Sequence, residues 1–187
     1  MVTYPKILKP DVKDDSNIRA GVLADLAKRY ELNKLCEVGV KSGGLTAKLA
    51  LLLPEATIIG VDPWRFYPDW PSWDNDKHLR HEEAFDRVCR RYPKQIVKMK
   101  MTSLEAAAQI VPSSLDLVFI DGDHSYSAVK ADIEAWLPKV RKGGVLSGHD
   151  YNNTEKYGDY FKGVDKAVDE IFPQASIEPD YVWWVRV

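Results

Sequence analysis

The segment Phe119-Ile-Asp-Gly-Asp-His-Ser-Tyr126 ends an apolar run and then places two carboxylates, an imidazole and two hydroxyls within six positions. A second polar group, Gly148-His-Asp-Tyr151, follows another apolar run, Val145-Leu146-Ser147. Carboxylates aimed at one point can hold a hard divalent cation. An imidazole titrates near neutral pH, so it can take a proton from a substrate or ligate a softer ion. Asp121, His124, His149 and Asp150 are therefore the candidate catalytic residues, and Asp121, His149 and Asp150 the candidate metal ligands. A third segment, Glu37-Val-Gly-Val-Lys-Ser-Gly43-Gly44, has the glycines that let a backbone turn sharply and approach a ligand at a helix N-terminus. Asp62 stands about 20 residues further on, where an acid can accept hydrogen bonds from both hydroxyls of a ribose. Together the glycines and Asp62 point to a ligand that contains a nucleoside.

These residues have to be brought together by the elements that precede them. Lys34 to Val38, Thr57 to Val61, Gln95 to Met99, Leu115 to Ile120 and Val145 to Gly148 read as short buried strands. Between them, Leu45 to Leu53, Glu82 to Tyr92, Leu104 to Val111 and Ser125 to Val140 read as helices, the last stopped by Gly143-Gly144. An amphipathic helix, Ser16 to Tyr30, precedes the first strand, and a helix, Val164 to Phe172, follows the fifth. Strands alternating with helices predict an α/β fold, a parallel sheet covered on both faces. Ligands in such sheets bind beyond the carboxyl ends of the strands, which is where all three polar segments fall. Ala175 to Glu178 and Tyr181 to Val187 are separated only by Pro179-Asp180, too short for a crossover helix, and predict a terminal antiparallel hairpin.

At 187 residues the chain fits a single domain, residues 1–187, with 1–33 as an N-terminal helical or lid segment. The interval 62–81 is aromatic and proline-punctuated without a clear period, and is either a lid over the site or a surface loop. A formal net charge of -2 leaves no broad basic surface, which argues against nucleic acid. No run has the length and apolarity of a membrane span or signal peptide, so a cytoplasmic location is expected. Cys36 and Cys89 suit reduced thiols. Trp136 recurs with Val129, Ile133 and Val140 at helical spacing and reads as core. Of Trp183 and Trp184, one should be buried while the other covers an edge or meets a partner subunit, which leaves a homo-oligomer open.

Glu37-Val-Gly39 with Gly43, Gly60-Val-Asp62, Leu115 to Tyr126 and Lys142 to Tyr151 together resemble the class I S-adenosylmethionine-dependent methyltransferases. The similarity is to the small O-methyltransferase-like branch, with D-G-D-H-x-Y and G-H-D-Y elements, and spans about residues 34–187. It implies a Rossmann-like three-layer sandwich whose seven-stranded, mostly parallel sheet ends in an antiparallel strand. It also implies S-adenosylmethionine as methyl donor and a small-molecule acceptor, a hydroxyl in this branch. By the same resemblance Glu37, Gly39 and Gly43 approach the amino-acid part of the cofactor, Asp62 holds the ribose, Ser103 lies near the adenine, and Asp121 faces the reacting methyl group; Trp64, just past Asp62, either covers the adenine face or is a lid aromatic that fills its own loop. In metal-dependent relatives the two strand-end carboxylates hold Mg²⁺ or another divalent cation. His149 departs from that pattern, because those relatives tend to carry an acid there. A metal-free alternative gives the substrate proton to His124 or His149. Two other readings are an NAD-dependent oxidoreductase, disfavoured by the G-x-x-x-G-G spacing, and a non-catalytic Rossmann-like binding module. Asn152, Asn153, Tyr157 and Tyr160 are candidates to bound the acceptor pocket.

Overall fold

The computed structural model describes residues 16–65, 75–153 and 162–187. Residues 1–15 of the expected N-terminal lid segment, residues 66–74 of the 62–81 interval, and Tyr157 and Tyr160 lie outside the described residues. The elements alternate in chain order: α1 (Ser16–Tyr30), β1 (Lys34–Val38), α2 (Gly44–Leu52), β2 (Thr57–Val61), α3 (Asn75–Arg91), β3 (Ile96–Met99), α4 (Ser103–Gln109), β4 (Leu115–Ile120) and α5 (Tyr126–Trp136). A single 3-10 turn, Leu137–Lys139, leads into β5 (Val140–Gly148), followed by α6 (Lys162–Ile171), β6 (Ser176–Glu178) and β7 (Val182–Arg186).

The strands form one sheet in the order β3-β2-β1-β4-β5-β7-β6. β1 pairs in parallel with β2 and β4, β2 with β3, and β4 with β5, while β7 runs antiparallel to both β5 and β6. Strand order reverses between β1 and β4, which opens a crevice between their following loops. From Leu117 onward β4 alternates strictly. Leu117 and Phe119 join α1, α2 and Phe85 of α3 in one buried cluster, and Val118 and Ile120 join α4, α5 and α6 in the other. Helices thus cover both faces, as a two-sided apolar strand requires. Trp136 and Trp183 are buried and Trp184 is half-buried, packing at 6.0 Å from the Tyr30 ring. Cys36 and Cys89 are free thiols. No helix among the described residues is long and apolar enough to cross a membrane.

Three boundaries differ clearly from expectation: α3 begins at Asn75 rather than Glu82, β5 begins at Val140 rather than Val145, and α5 ends early. α5 stops at Trp136, because Pro138 occupies the next turn, and Gly143-Gly144 do not end a helix but lie inside β5. Leu115 pairs with Val140 while Leu117 pairs with Val145, so β5 carries an irregular bulge against β4. A Cβ on Gly144 would lie 2.6 Å from the Asp116 carbonyl oxygen, which explains a glycine there.

Candidate active site

The loop after β1 turns at Gly39, which adopts φ 91° and donates its N–H to the Val61 carbonyl at 2.9 Å. A Cβ on Gly39 would lie 2.0 Å from the Asp121 carbonyl oxygen. The loops after β1 and β4 are therefore in backbone contact at the topological switch point. Gly43, at φ 80°, precedes α2, and a Cβ there would strike the Phe85 ring at 2.5 Å. Glu37, the penultimate residue of β1, has a buried carboxyl that accepts from the Thr46 hydroxyl at 2.5 Å. Burial drives its pKa up to about 8, with the Asp121 charge adding to the rise and the Thr46 bond opposing it.

Asp62 follows β2 and fastens the adjoining loops: one oxygen accepts from the Lys41 N–H and the other from the Trp64 N–H, both at 2.8 Å. Trp64 is buried. Its ring stacks on Phe85 at 5.2 Å, its Nε1–H donates to the Lys41 carbonyl at 2.7 Å, and the Lys98 ammonium lies over the ring. Trp64 thus fills the floor beneath the glycine loop. Ser103 opens α4 after the Thr102 capping box. It donates to Asp132 Oδ1 at 2.5 Å and accepts from Trp136 Nε1 at 2.8 Å. Burial pushes the Asp132 carboxyl up to about 6.

The carboxyl ends of β4 and β5 bring the other four candidates together. The Asp121 N–H donates to the Val38 carbonyl at 2.8 Å and the His149 N–H to the Ile120 carbonyl at 3.0 Å, so the strand ladder extends one residue into each loop. Asp150 takes a left-handed φ of 62°, which Asp tolerates better than most residues. His124 Nε2 lies 2.6 Å from Asp150 Oδ2 and 3.6 Å from Asp121 Oδ1. His149 Nδ1 addresses the same two oxygens, at 3.0 and 3.7 Å. Asn153 donates its amide to the other Asp150 oxygen. Burial opposes the charge on both rings, but the Asp121 and Asp150 carboxylates outweigh it and raise each pKa to about 9. Burial likewise opposes the Asp150 charge, yet the two imidazoles hold its carboxyl well below the usual carboxylate range. A cavity of about 10 Å³ bordered by Asp121, His124, His149 and Trp183 adjoins the cluster, near the lower limit for one water molecule. Asp123 caps the following turn by accepting from the Ser125 N–H, and Tyr126 points outward to Glu170.

Two members of the cluster escaped the sequence reading. Arg19 of α1 donates from Nη1 to Asp121 Oδ2 at 3.0 Å and from Nε to Asp180 Oδ2 at 2.8 Å. Asp180, read only as a hairpin spacer, also stands 3.7 Å from His149 Nε2. A usable signal existed for Arg19: it lies three and four positions before the buried Val22 and Leu23, on the inward stripe of an amphipathic helix. A cation on that stripe needs a carboxylate partner.

The chain matches the family described as "Methyltransferase domain" over residues 36–151, which includes the glycine loop, Asp62, Ser103 and all four strand-end candidates. It is 37% identical over 84 residues to an uncharacterised protein of Sinorhizobium fredii, covering 42% of this chain and 9% of that one. It is 24% identical over 156 residues to an uncharacterised protein of Acanthamoeba polyphaga mimivirus, covering 80% and 66%. The chain therefore spans less than two thirds of the length of these curated relatives. Among solved structures it resembles the O-methyltransferase from Bacillus cereus in complex with SAH, with a TM-score of 0.63 at 14% identity over 98% of this chain and 84% of that one. With the family match spanning most of the chain and the strand order found above, the chain belongs to the methyltransferase domain family and has its class I fold.

Proposed function

We propose that this chain transfers a methyl group from S-adenosylmethionine to a hydroxyl of a small-molecule acceptor. The observation that carries the reading is the meeting of Asp121, His124, His149 and Asp150 at the sheet edge, in backbone contact with the Gly39 loop. Family membership and the likeness to a structure bound to SAH support the donor. The residues fit that donor. A Cβ would fill the contact at Gly39, Glu37 lies buried beneath the loop, and Asp62 stands at the end of β2 beside the glycine loop, bonded to the Lys41 and Trp64 N–H groups. The donor supplies an electrophilic methyl group. The chain has to orient the acceptor oxygen towards it and remove the proton, and orientation alone accounts for much of such a rate.

The Asp121 and Asp150 carboxylates raise the pKa of both rings, which works against either ring as a base at neutral pH. Two carboxylates converging with an imidazole are also the donor set of a divalent-cation site, so metal assistance stands beside a histidine base as the second route. Asp121 and Asp150, with the imidazoles, would hold that ion, and when bound it lowers the pKa of a coordinated hydroxyl. Asp150 and Asp121 keep the rings turned inward, and Asn153 fixes the free oxygen of Asp150.

The test is calorimetric titration with S-adenosylhomocysteine and with NADH, each with EDTA and with added divalent ions. Binding of the first and not the second is expected. Asp62→Ala should abolish it, while Asp121→Ala and Asp150→Ala should spare it and remove turnover. NADH binding in place of S-adenosylhomocysteine would overturn the proposal in favour of an oxidoreductase.

A further inference from the structure

We propose that the turn Pro179-Asp180-Tyr181 is a strained clamp on His149, with Asp180 and Tyr181 as positioning residues that fix the orientation of its ring at the acceptor end of the site. The proposal rests on the methyl-transfer reading for what His149 does there, though not for the clamp itself. Neither residue lies in the span matched by the family, residues 36–151.

Backbone strain is concentrated around this histidine. Among the described residues eight non-glycine positions have a positive φ, and four of them, Asp150, Asn152, Asp180 and Tyr181, belong to the loop after β5 and to the hairpin turn. Asp and Asn enter the left-handed region readily, whereas a bulky side chain there is costly. Tyr181, at φ 56° directly after Asp180 at 61°, is the residue at which the turn departs from the usual choice. Glu178 pairs with Val182, and so short a reversal commonly places glycine at a left-handed position. Packing does not offset the cost, since Tyr181 stays 39% exposed. Such strain persists only where the surrounding structure over-determines it, and it gathers at functional sites.

Two other elements hold the turn in place, and what the turn holds is the imidazole. The Tyr151 N–H donates to the Tyr181 carbonyl at 3.1 Å, and Arg19 Nε of α1 donates to Asp180 Oδ2 at 2.8 Å. His149 is 6% exposed. Its Nδ1 stands 3.0 Å from Asp150 Oδ2 and 3.7 Å from Asp121 Oδ1, and its Nε2 stands 3.7 Å from Asp180 Oδ2. The Tyr181 ring meets the imidazole edge-on, with centroids 6.5 Å apart at 85°, and the Phe119 ring meets it at 6.3 Å and 59°. Asp180 and Tyr181 thus supply two of the groups around the ring, beside Asp121, Asp150 and Phe119. Relaxing the turn with glycine removes the Tyr181 edge and loosens the Asp180 carboxylate, so the imidazole gains freedom while the backbone loses strain.

The experiment compares the full chain with its Tyr181→Gly and Tyr181→Phe variants by thermal melting and by NMR of carbon-13-labelled histidine, the His149 signal being the one absent from His149→Gln. Relief of the left-handed strain should let Tyr181→Gly melt at or above wild type, by up to about 4 °C, while its His149 signal shifts and broadens. Tyr181→Phe keeps both the ring and the strain, and should reproduce the wild-type midpoint and His149 signal. A lower midpoint for Tyr181→Gly would make Tyr181 an ordinary packing residue and overturn the proposal. A His149 signal unmoved by glycine, or moved as far by phenylalanine, would overturn it as well. Titration of the wild type with S-adenosylhomocysteine tests the methyl-transfer reading separately: no binding would remove that reading, while the melt and the histidine signal still decide the clamp.

Discussion

Arg19 Nε lies 2.8 Å from Asp180 Oδ2, joining the first helix to the hairpin turn across 161 positions of sequence. The same guanidinium reaches Asp121, so replacing it leaves two poorly solvated carboxylates without their cation. Arg19→Ala should therefore lower stability by about 2 kcal/mol, less than a fully buried pair because the arginine side chain keeps some solvent contact. Chemical denaturation measures the loss. Amide exchange should also quicken in α1 before it does in α5.

Glu37 gives a pH dependence. Its folded pKa of about 8 stands above the ordinary carboxyl value, so between about pH 4.5 and 8 the unfolded chain releases a proton that the folded chain keeps. Stability falls as pH rises through that window. Glu37→Gln keeps an acceptor for Thr46 and removes the titration. The advantage of the variant over wild type should thus grow from pH 5 to pH 8 in denaturant titrations, and parallel curves would show that Glu37 is not held neutral.

Two glycines at the same edge should respond oppositely. Gly39→Ala meets both a left-handed φ and the Asp121 carbonyl, and should cost more than about 2 kcal/mol and abolish donor binding. Gly122→Ala meets only Asp132 Oδ2, at 3.7 Å, and should unfold within about 1 kcal/mol of wild type. Thermal melts of the pair compare them directly.

Ser103 holds Asp132 and the Trp136 indole at once. Ser103→Ala leaves a buried N–H without an acceptor, at a cost of about 1–3 kcal/mol. Its tryptophan fluorescence should shift, since Trp136 is fully buried in the core beneath α4.

Much of this architecture was legible because it is local. The apolar runs of β1, β2 and β4, the glycine breaks, and the short Pro179-Asp180 link each declare themselves within a few residues, and strand-end position alone put Asp121 beside Asp150. The helix expected to run from Ser125 to Val140 failed because Pro138 outweighed the apolar period, and the glycines after it serve a bulge whose cause is the Asp116 carbonyl on the neighbouring strand. Arg19 and Asp180 were missed because their roles exist only across long sequence separation. Trp64 shows the same limit, since its partner Phe85 lies in α3 and nothing near Trp64 signals a stacking ring.

β7 has neighbours on both sides: it lies between β5 and β6, with Trp183 pressed on Gly148, where a Cβ would come within 2.6 Å of the indole. The last strand in the chain is thus interior to the sheet. Until it inserts, β5 presents a bare edge of unpaired N–H and C=O groups immediately beside Asp150, and such an edge recruits other chains. Trimming residues 182–187, or a proteolytic nick in the hairpin, would expose that edge. The expected result is loss to self-association rather than a merely weakened enzyme.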